Sequence, residues 1–279
     1  MALLEFEVTP ETNRERIIIY SWPGFGKTRA ALSLPDTPKW GEIVYYACDE
    51  GSEFLGSCLK RYRKRVHVLK PDRDDPLMNF TEFAVHDWKT DFPKARTLVV
   101  DTYTKVMFDI LRDCAQKGSM TQEKHFQFVT KGGTAVTIPN RSDYFAIQNI
   151  SRNLVDLIFQ HQSDMHIIYV MHEDMMQTEG IGAVGGPSHP GRQMALELPS
   201  KFNTVIRLTR DARVTPNGEV KMIVTAHTDS HGQYVARIRE AEEDGNPMPM
   251  VDLDVDPVNL WQMYDSRDDV THTEQEAQT

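Results

Sequence analysis

Ile17-Ile18-Ile19-Tyr20-Ser21-Trp22-Pro23-Gly24-Phe25-Gly26-Lys27-Thr28 passes from an apolar run through a turn into the helix-like Arg29-Ala30-Ala31-Leu32. This order of strand, loop and helix is that of a cradle for nucleotide phosphates, whose usual pattern is G-x-x-x-x-G-K-[ST]. Gly26, Lys27 and Thr28 match the pattern, and Ser21 stands at the first glycine position. Gly24 and Gly26 allow a tight turn and a close approach to phosphate oxygens, because no Cβ intervenes. Backbone N–H groups of the loop and of the helix start then face the phosphates. The predicted nucleotide-binding residues are Ser21, Trp22, Pro23, Gly24, Phe25, Gly26, Lys27, Thr28 and Arg29. Lys27 is expected to reach the β- and γ-phosphates as a point charge, and the Thr28 hydroxyl to ligate Mg²⁺. An ordinary glycine-rich turn explains Gly-Lys-Thr alone, but the flanking strand and helix favour the cradle. Ser21 is small and is expected to be tolerated there if its φ is negative.

The chain has 279 residues, 40% of them hydrophobic and 26% charged, which suits a soluble globular protein with one large α/β core or two small domains. Glu5, Glu7 and Glu11 come too early for a basic-then-apolar leader, and no apolar run reaches the length of a membrane span. Three scattered cysteines, Cys48, Cys58 and Cys114, suggest a reducing compartment and argue against a disulfide framework or zinc site. The expected location is the cytoplasm. A net charge of −10 excludes nucleic-acid binding by bulk electrostatics, so a polyanion must meet a local basic patch or backbone donors. Much of the acid lies late, in Glu240-Ala241-Glu242-Glu243-Asp244 and in the final residues. The last fifteen residues are polar and expected to be disordered, which sets one domain over 1–264 and a tail over 265–279.

Outward from the loop, apolar runs alternate with helical patterns. Strands are predicted over 42–48, 67–69, 96–101 and 165–170, with helices over 52–62, 79–87, 104–115 and 144–160. Residues 116–143 read as a long loop or β-ribbon excursion and 174–192 as a second, glycine-rich one. A short helix is expected over 195–201, then strands over 205–209, 220–225 and 234–237, the first two split by a Pro216-Asn217-Gly218 turn. Alternation of this kind implies an α/β fold with a mostly parallel central sheet flanked by helices and a late antiparallel edge.

Three polar residues are predicted at strand ends. Leu98-Val99-Val100-Asp101 delivers a carboxylate that is expected beside the phosphate loop, to hold Mg²⁺ through water, with Thr28; a helix cap is the alternative. Cys48-Asp49-Glu50-Gly51 offers a general base for water attacking the γ-phosphate, Glu50 before Asp49, although either acid would also cap the next helix. His172, after Tyr169-Val170-Met171, is placed to sense the γ-phosphate and signal to the segment that follows, or else to cap or face solvent.

Together, Ser21 to Thr28, Tyr46-Ala47-Cys48-Asp49-Glu50-Gly51, Leu98 to Asp101 and Tyr169 to His172 resemble the RecA-like P-loop ATPase core. The resemblance is strongest to the compact phage-encoded single-strand annealing and recombination ATPases, and covers roughly residues 15 to 240. It implies ATP and Mg²⁺ as cofactors. Glu50 would be the catalytic glutamate and Asp101 the metal aspartate, while His172 would stand where larger recombinases couple nucleotide to DNA. Ser21 in place of a glycine and Cys48 in place of an acid are departures from the family pattern.

The resemblance also implies single-stranded DNA as a partner, bound by the two excursions. The first carries Lys117, Lys124, Lys131 and Arg141 with Phe126 and Phe128, and the second His189 and Arg192. It implies a homo-oligomer, a ring or filament, in which Arg237 or Arg239 reaches a neighbour's γ-phosphate. A single-strand-binding protein or other recombination partner is a further expectation, and a membrane is not. The basic run Lys60-Arg61-Tyr62-Arg63-Lys64-Arg65 is a DNA or subunit contact, or merely a solvated helix end. Two other readings stand beside this one. The first is an NTP-dependent motor or switch acting on a protein, such as a helicase loader or packaging accessory. The second is a nucleotide-binding module without hydrolysis.

Overall fold

The computed structural model describes residues 14–48, 65–72, 74–117, 126–129, 135–178, 182–214, 217–228, 230, 233–238, 251–252 and 260–261. Twelve strands and six α-helices are described. The strands are β1 (Arg16–Ser21), β2 (Glu42–Ala47), β3 (Val66–Leu69), β4 (Ala95–Asp101), β5 (Phe126–Val129), β6 (Ala135–Ile138), β7 (His166–Thr178), β8 (Gly182–Pro187), β9 (Thr204–Val214), β10 (Val220–His227), β11 (Arg237–Ile238) and β12 (Val251–Asp252). The helices are α1 (Lys27–Leu32), α2 (Pro76–Val85), α3 (Trp88–Asp91), α4 (Tyr103–Lys117), α5 (Arg141–His161) and α6 (Arg192–Glu197), the last running into a 3-10 turn, Leu198–Lys201.

The main sheet has the order β12-β10-β9-β1-β7-β4-β2-β3, with β8 paired to β7 and β11 to β9. From β9 to β3 every neighbouring pair is parallel. The β9-β10-β12 edge is antiparallel, as the late part of the sequence predicts.

β1 lies inside the sheet, and its apolar run is buried from both sides, as a strand covered on both faces requires. Ile18 and Tyr20 enter one core with α2, α4 and α5, through Phe80, Met107, Ile110 and Leu154. Ile17 and Ile19 enter the other with Ala30 and Ala31 of α1, Trp40 and Trp261. All four β1 residues are fully buried, so helices must cover both faces.

Helix starts follow local chemistry. Asp75 caps α2 by accepting the Met78 N–H, with Pro76 at the first helical position. Asn140 and Asp143 form a capping box on α5, which therefore begins three residues before the apolar periodicity does.

The second excursion differs from expectation. β7 does not stop near Glu173 but runs to Thr178 and turns back as β8, with Glu173 opposite Pro187 and Thr178 opposite Gly182. Its small and glycine residues give no alternating pattern, and ladder hydrogen bonds made with β7 hold it extended. The first excursion contains the antiparallel ribbon β5–β6, a sheet of its own. The predicted helix over 52–62 and the 265–279 tail lie outside the described residues.

Candidate nucleotide-binding site

β1 ends at Ser21, and the chain turns through Trp22 to Gly26 into α1. Gly24 and Gly26 have φ of 80° and 85°, the left-handed region that disfavours side chains. A Cβ built on either glycine meets nothing within 4 Å, so the demand is conformational and not one of space. Ser21 keeps ordinary strand backbone, since no non-glycine residue among those described has positive φ. A glycine is therefore not required at this position.

Lys27 is buried at 7% exposure and turns its ammonium back over the loop. Its Nζ donates to the carbonyls of Ser21 and Trp22, each at 3.0 Å, and to Ser21 Oγ at 3.3 Å. The Ser21 hydroxyl in turn donates to the Trp22 carbonyl at 2.9 Å. The serine thus gives the lysine an additional acceptor that a glycine would lack. Trp22, Pro23, Gly24 and Arg29 are exposed, while Phe25 and Thr28 are half-buried.

Asp101 closes β4, but β4 is not adjacent to β1: β7 lies between them. A strand formed later in the chain is inserted between the two, an order that no local pattern encodes. The carboxylate still reaches across, because Thr28 Oγ1 donates to Asp101 Oδ2 at 2.5 Å. The buried carboxylate and the hydroxyl are hard oxygen donors of the kind Mg²⁺ takes. No cluster of three or more His, Cys, Asp or Glu exists among the described residues, and a magnesium bound with a nucleotide needs none, since phosphates complete its shell. The residues present therefore fit Mg²⁺, which Thr28 and Asp101 would hold.

A third side chain joins this pair and is not foreseen from sequence. Tyr45, in the middle of β2, donates its phenol to the same Asp101 oxygen at 2.6 Å. Burial, and after it the nearby Asp101 charge, raise the phenol far above its ordinary range, so it stays protonated. One available signal is that a tyrosine buried in a strand needs a partner for its hydroxyl.

His172 pairs in register with Ser21, which places it at the level where the loop leaves the sheet. Its backbone N–H donates to Thr104 Oγ1 at 3.1 Å, Thr104 donates to the Ser188 carbonyl at 2.9 Å, and the Ser188 N–H donates back to the His172 carbonyl at 2.7 Å. The loop level, the start of α4 and the end of β8 are thereby tied together.

One residue further, the fully buried Glu173 side chain accepts two hydrogen bonds of 3.0 Å from Arg207 of β9. Arg207 lies 3.2 Å over the Tyr234 ring. Neither Glu173 nor Arg207 is singled out by the sequence, because they lie 34 residues apart and are joined only by the sheet.

Glu50, Asp49 and the run from Lys60 to Lys64 lie outside the described residues, as do Lys124, Lys131 and Arg239. Arg237 turns inward, its Nη2 donating to the carbonyls of Pro199 and Phe202 at 2.5 and 3.1 Å. No helix among the described residues is long and apolar enough to cross a membrane.

Residues 13–240 match the family described as AAA domain. Among curated proteins, none matches the chain. Solved structures with similar coordinates include one described as an ATPase domain, at 14% identity and TM-score 0.45 over 86% of this chain and 80% of that one. The RadB recombinase aligns at 14% identity and TM-score 0.43, over 85% of this chain and 86% of the other. A DnaB-like replicative helicase aligns at 14% identity and TM-score 0.45, over 86% of this chain and 54% of the other.

Proposed function

The chain belongs to the AAA domain family, and from that premise we propose that it is a RecA-like P-loop ATPase, a Mg²⁺-dependent ATP hydrolase whose turnover is coupled to single-stranded DNA. The observation that carries the proposal is the arrangement of Lys27, Thr28 and Asp101 around one glycine loop. When a nucleotide enters, its phosphates take the place of the loop carbonyls as partners of the Lys27 ammonium. Thr28 and Asp101 would hold the metal, whose chemistry would be to neutralise charge on the phosphates. Glu50, in the segment after β2, is the proposed base that accepts a proton from the attacking water.

The role of His172 in this proposal is to report the γ-phosphate to the β7–β8 hairpin, through the hydrogen bonds that its backbone makes with Thr104 and Ser188. DNA binding is assigned to the segments around β5–β6 and β7–β8, within a cytoplasmic homo-oligomer serving phage recombination, annealing or replication. Its support is the family resemblance carried by four motifs, together with the cations Lys117 and Arg141 that flank the β5–β6 segment.

The test is phosphate release by the purified chain with Mg²⁺ or EDTA, and with or without a short single strand. Expected are metal-dependent turnover, stimulation by DNA, and loss of turnover with retained ATP binding in Glu50→Gln. If DNA neither binds nor changes the rate, the DNA assignment falls and a protein partner replaces it. If ATP binds without phosphate release in any condition, the chain is a nucleotide-binding module and not a hydrolase.

A further inference from the structure

We propose that Tyr45 is a positioning residue for the metal shell of this site, holding the Asp101 carboxylate in the pose that turns the Thr28 oxygen toward Mg²⁺. The inference rests on the nucleotide-hydrolase reading above. Tyr45 Oη and Thr28 Oγ1 donate to the same carboxylate oxygen, at 2.6 and 2.5 Å. A carboxylate oxygen offers two lone-pair sites, so these two donors fill Oδ2. Thr28 has one proton, and directing it to Oδ2 leaves the lone pairs of its oxygen to face a cation. An aspartate carboxylate turns easily about its last torsion, which is broad and two-fold. The Thr28 bond alone does not fix that torsion, since it moves with the carboxylate. A second donor, anchored on a different strand, does.

Packing gives no reason for the hydroxyl. Tyr45 shares its face of β2 with Ile43 and Ala47 and lies in the apolar core that contains Ala30, Ala31 and Trp40. A phenylalanine would fill the same space. Tyr45 is also only 2% exposed, so water does not explain its polar end either. The use that remains on the page is the carboxylate it touches. Side chains that orient a metal ligand from behind change metal affinity by about 10- to 100-fold when removed.

The experiment compares the wild type with Tyr45→Phe, and with Tyr46→Phe as a control. Tyr46 undergoes the same chemical change on the opposite face of β2, in the other core. A fluorescent ATP analogue is titrated in EDTA, and in a separate EDTA-free sample Mn²⁺ is titrated into the nucleotide-loaded protein, with free Mn²⁺ read by electron paramagnetic resonance. Far-UV circular dichroism and a thermal melt check that each variant is folded.

Expected for Tyr45→Phe is metal-free nucleotide affinity within about twofold of wild type and Mn²⁺ affinity weakened about 10- to 100-fold. Tyr46→Phe is expected to leave both unchanged. Wild-type Mn²⁺ affinity in Tyr45→Phe overturns the inference. So does an equal loss of nucleotide affinity in EDTA, or an equal Mn²⁺ defect in Tyr46→Phe, because either marks a general packing role. A wild-type protein that binds no nucleotide in either buffer overturns the hydrolase reading together with this inference.

Discussion

Ser21 is the residue at which the phosphate loop departs from its usual glycine, and its surroundings explain the departure. It ends a regular strand, is fully buried, and gives its hydroxyl oxygen to the Lys27 ammonium. Replacing it by the usual glycine removes that acceptor and adds backbone freedom to the unfolded chain. Ser21→Gly is therefore expected to cost about 0.5–1 kcal/mol in a urea titration, with no gain in nucleotide affinity. A rise in affinity would mean that the serine hinders the loop. The loop is legible residue by residue because its glycines, lysine and threonine are contiguous. Tyr45, Glu173 and Arg207 are not, because their partners lie 56 and 34 positions away and only strand pairing brings them together.

At the scale of elements, α1 is short and depends on what packs beside it. Its last turn is held by a residue far along the chain: Trp261 donates its indole N–H to the Ala30 carbonyl at 3.0 Å and to Ser33 Oγ at 3.2 Å. Trp261 is fully buried and meets the Trp40 ring at 5.3 Å. Trp261→Ala is expected to cost about 3–5 kcal/mol by cavity formation, read as a lower urea midpoint. Nucleotide binding should weaken with it, because the phosphate-loop helix loses its support. Residue 261 also lies beyond the family match, which ends at 240. The β7–β8 hairpin has a comparable dependence. A Cβ on Gly185 would stand 2.2 Å from the Tyr234 ring, so Gly185→Ala must displace that ring from Arg207. An overpacking cost of about 1–3 kcal/mol is expected in the same assay.

The whole molecule carries a pH dependence set by two buried histidines. His166 accepts the Glu15 N–H on Nδ1 and faces the Lys39 carbonyl with Nε2, which fixes it as the neutral ring. Burial lowers it from 6.5 to about 3, and burial lowers His189 to about 4. Both folded values lie below the unfolded one, so the unfolded chain takes up protons first as pH falls. Their stabilisation is complete above about pH 6.5 and is lost on acidification toward the folded values. With both histidines titrating in the unfolded state, the slope approaches about 2.7 kcal/mol per pH unit between roughly pH 6 and 4. Urea titrations across that range measure it, and His189→Asn, which keeps an acceptor for the Gly191 N–H, should remove about half of the histidines' share of the slope.

What the sequence determines by itself is local: the strand, glycine turn and helix of the phosphate loop, the strand bearing Asp101, and the alternation that makes an α/β sheet. Contiguous residues and short-range periodicity encode all of these. Only the tertiary structure decides the strand order, with β7 between β1 and β4, the convergence of Tyr45 and Thr28 on one carboxylate oxygen, and the docking of Trp261 against α1. The physical reason is the same in each case. A buried polar group must find a partner and a buried face must find a cover, but which distant segment supplies them is settled when the whole sheet closes.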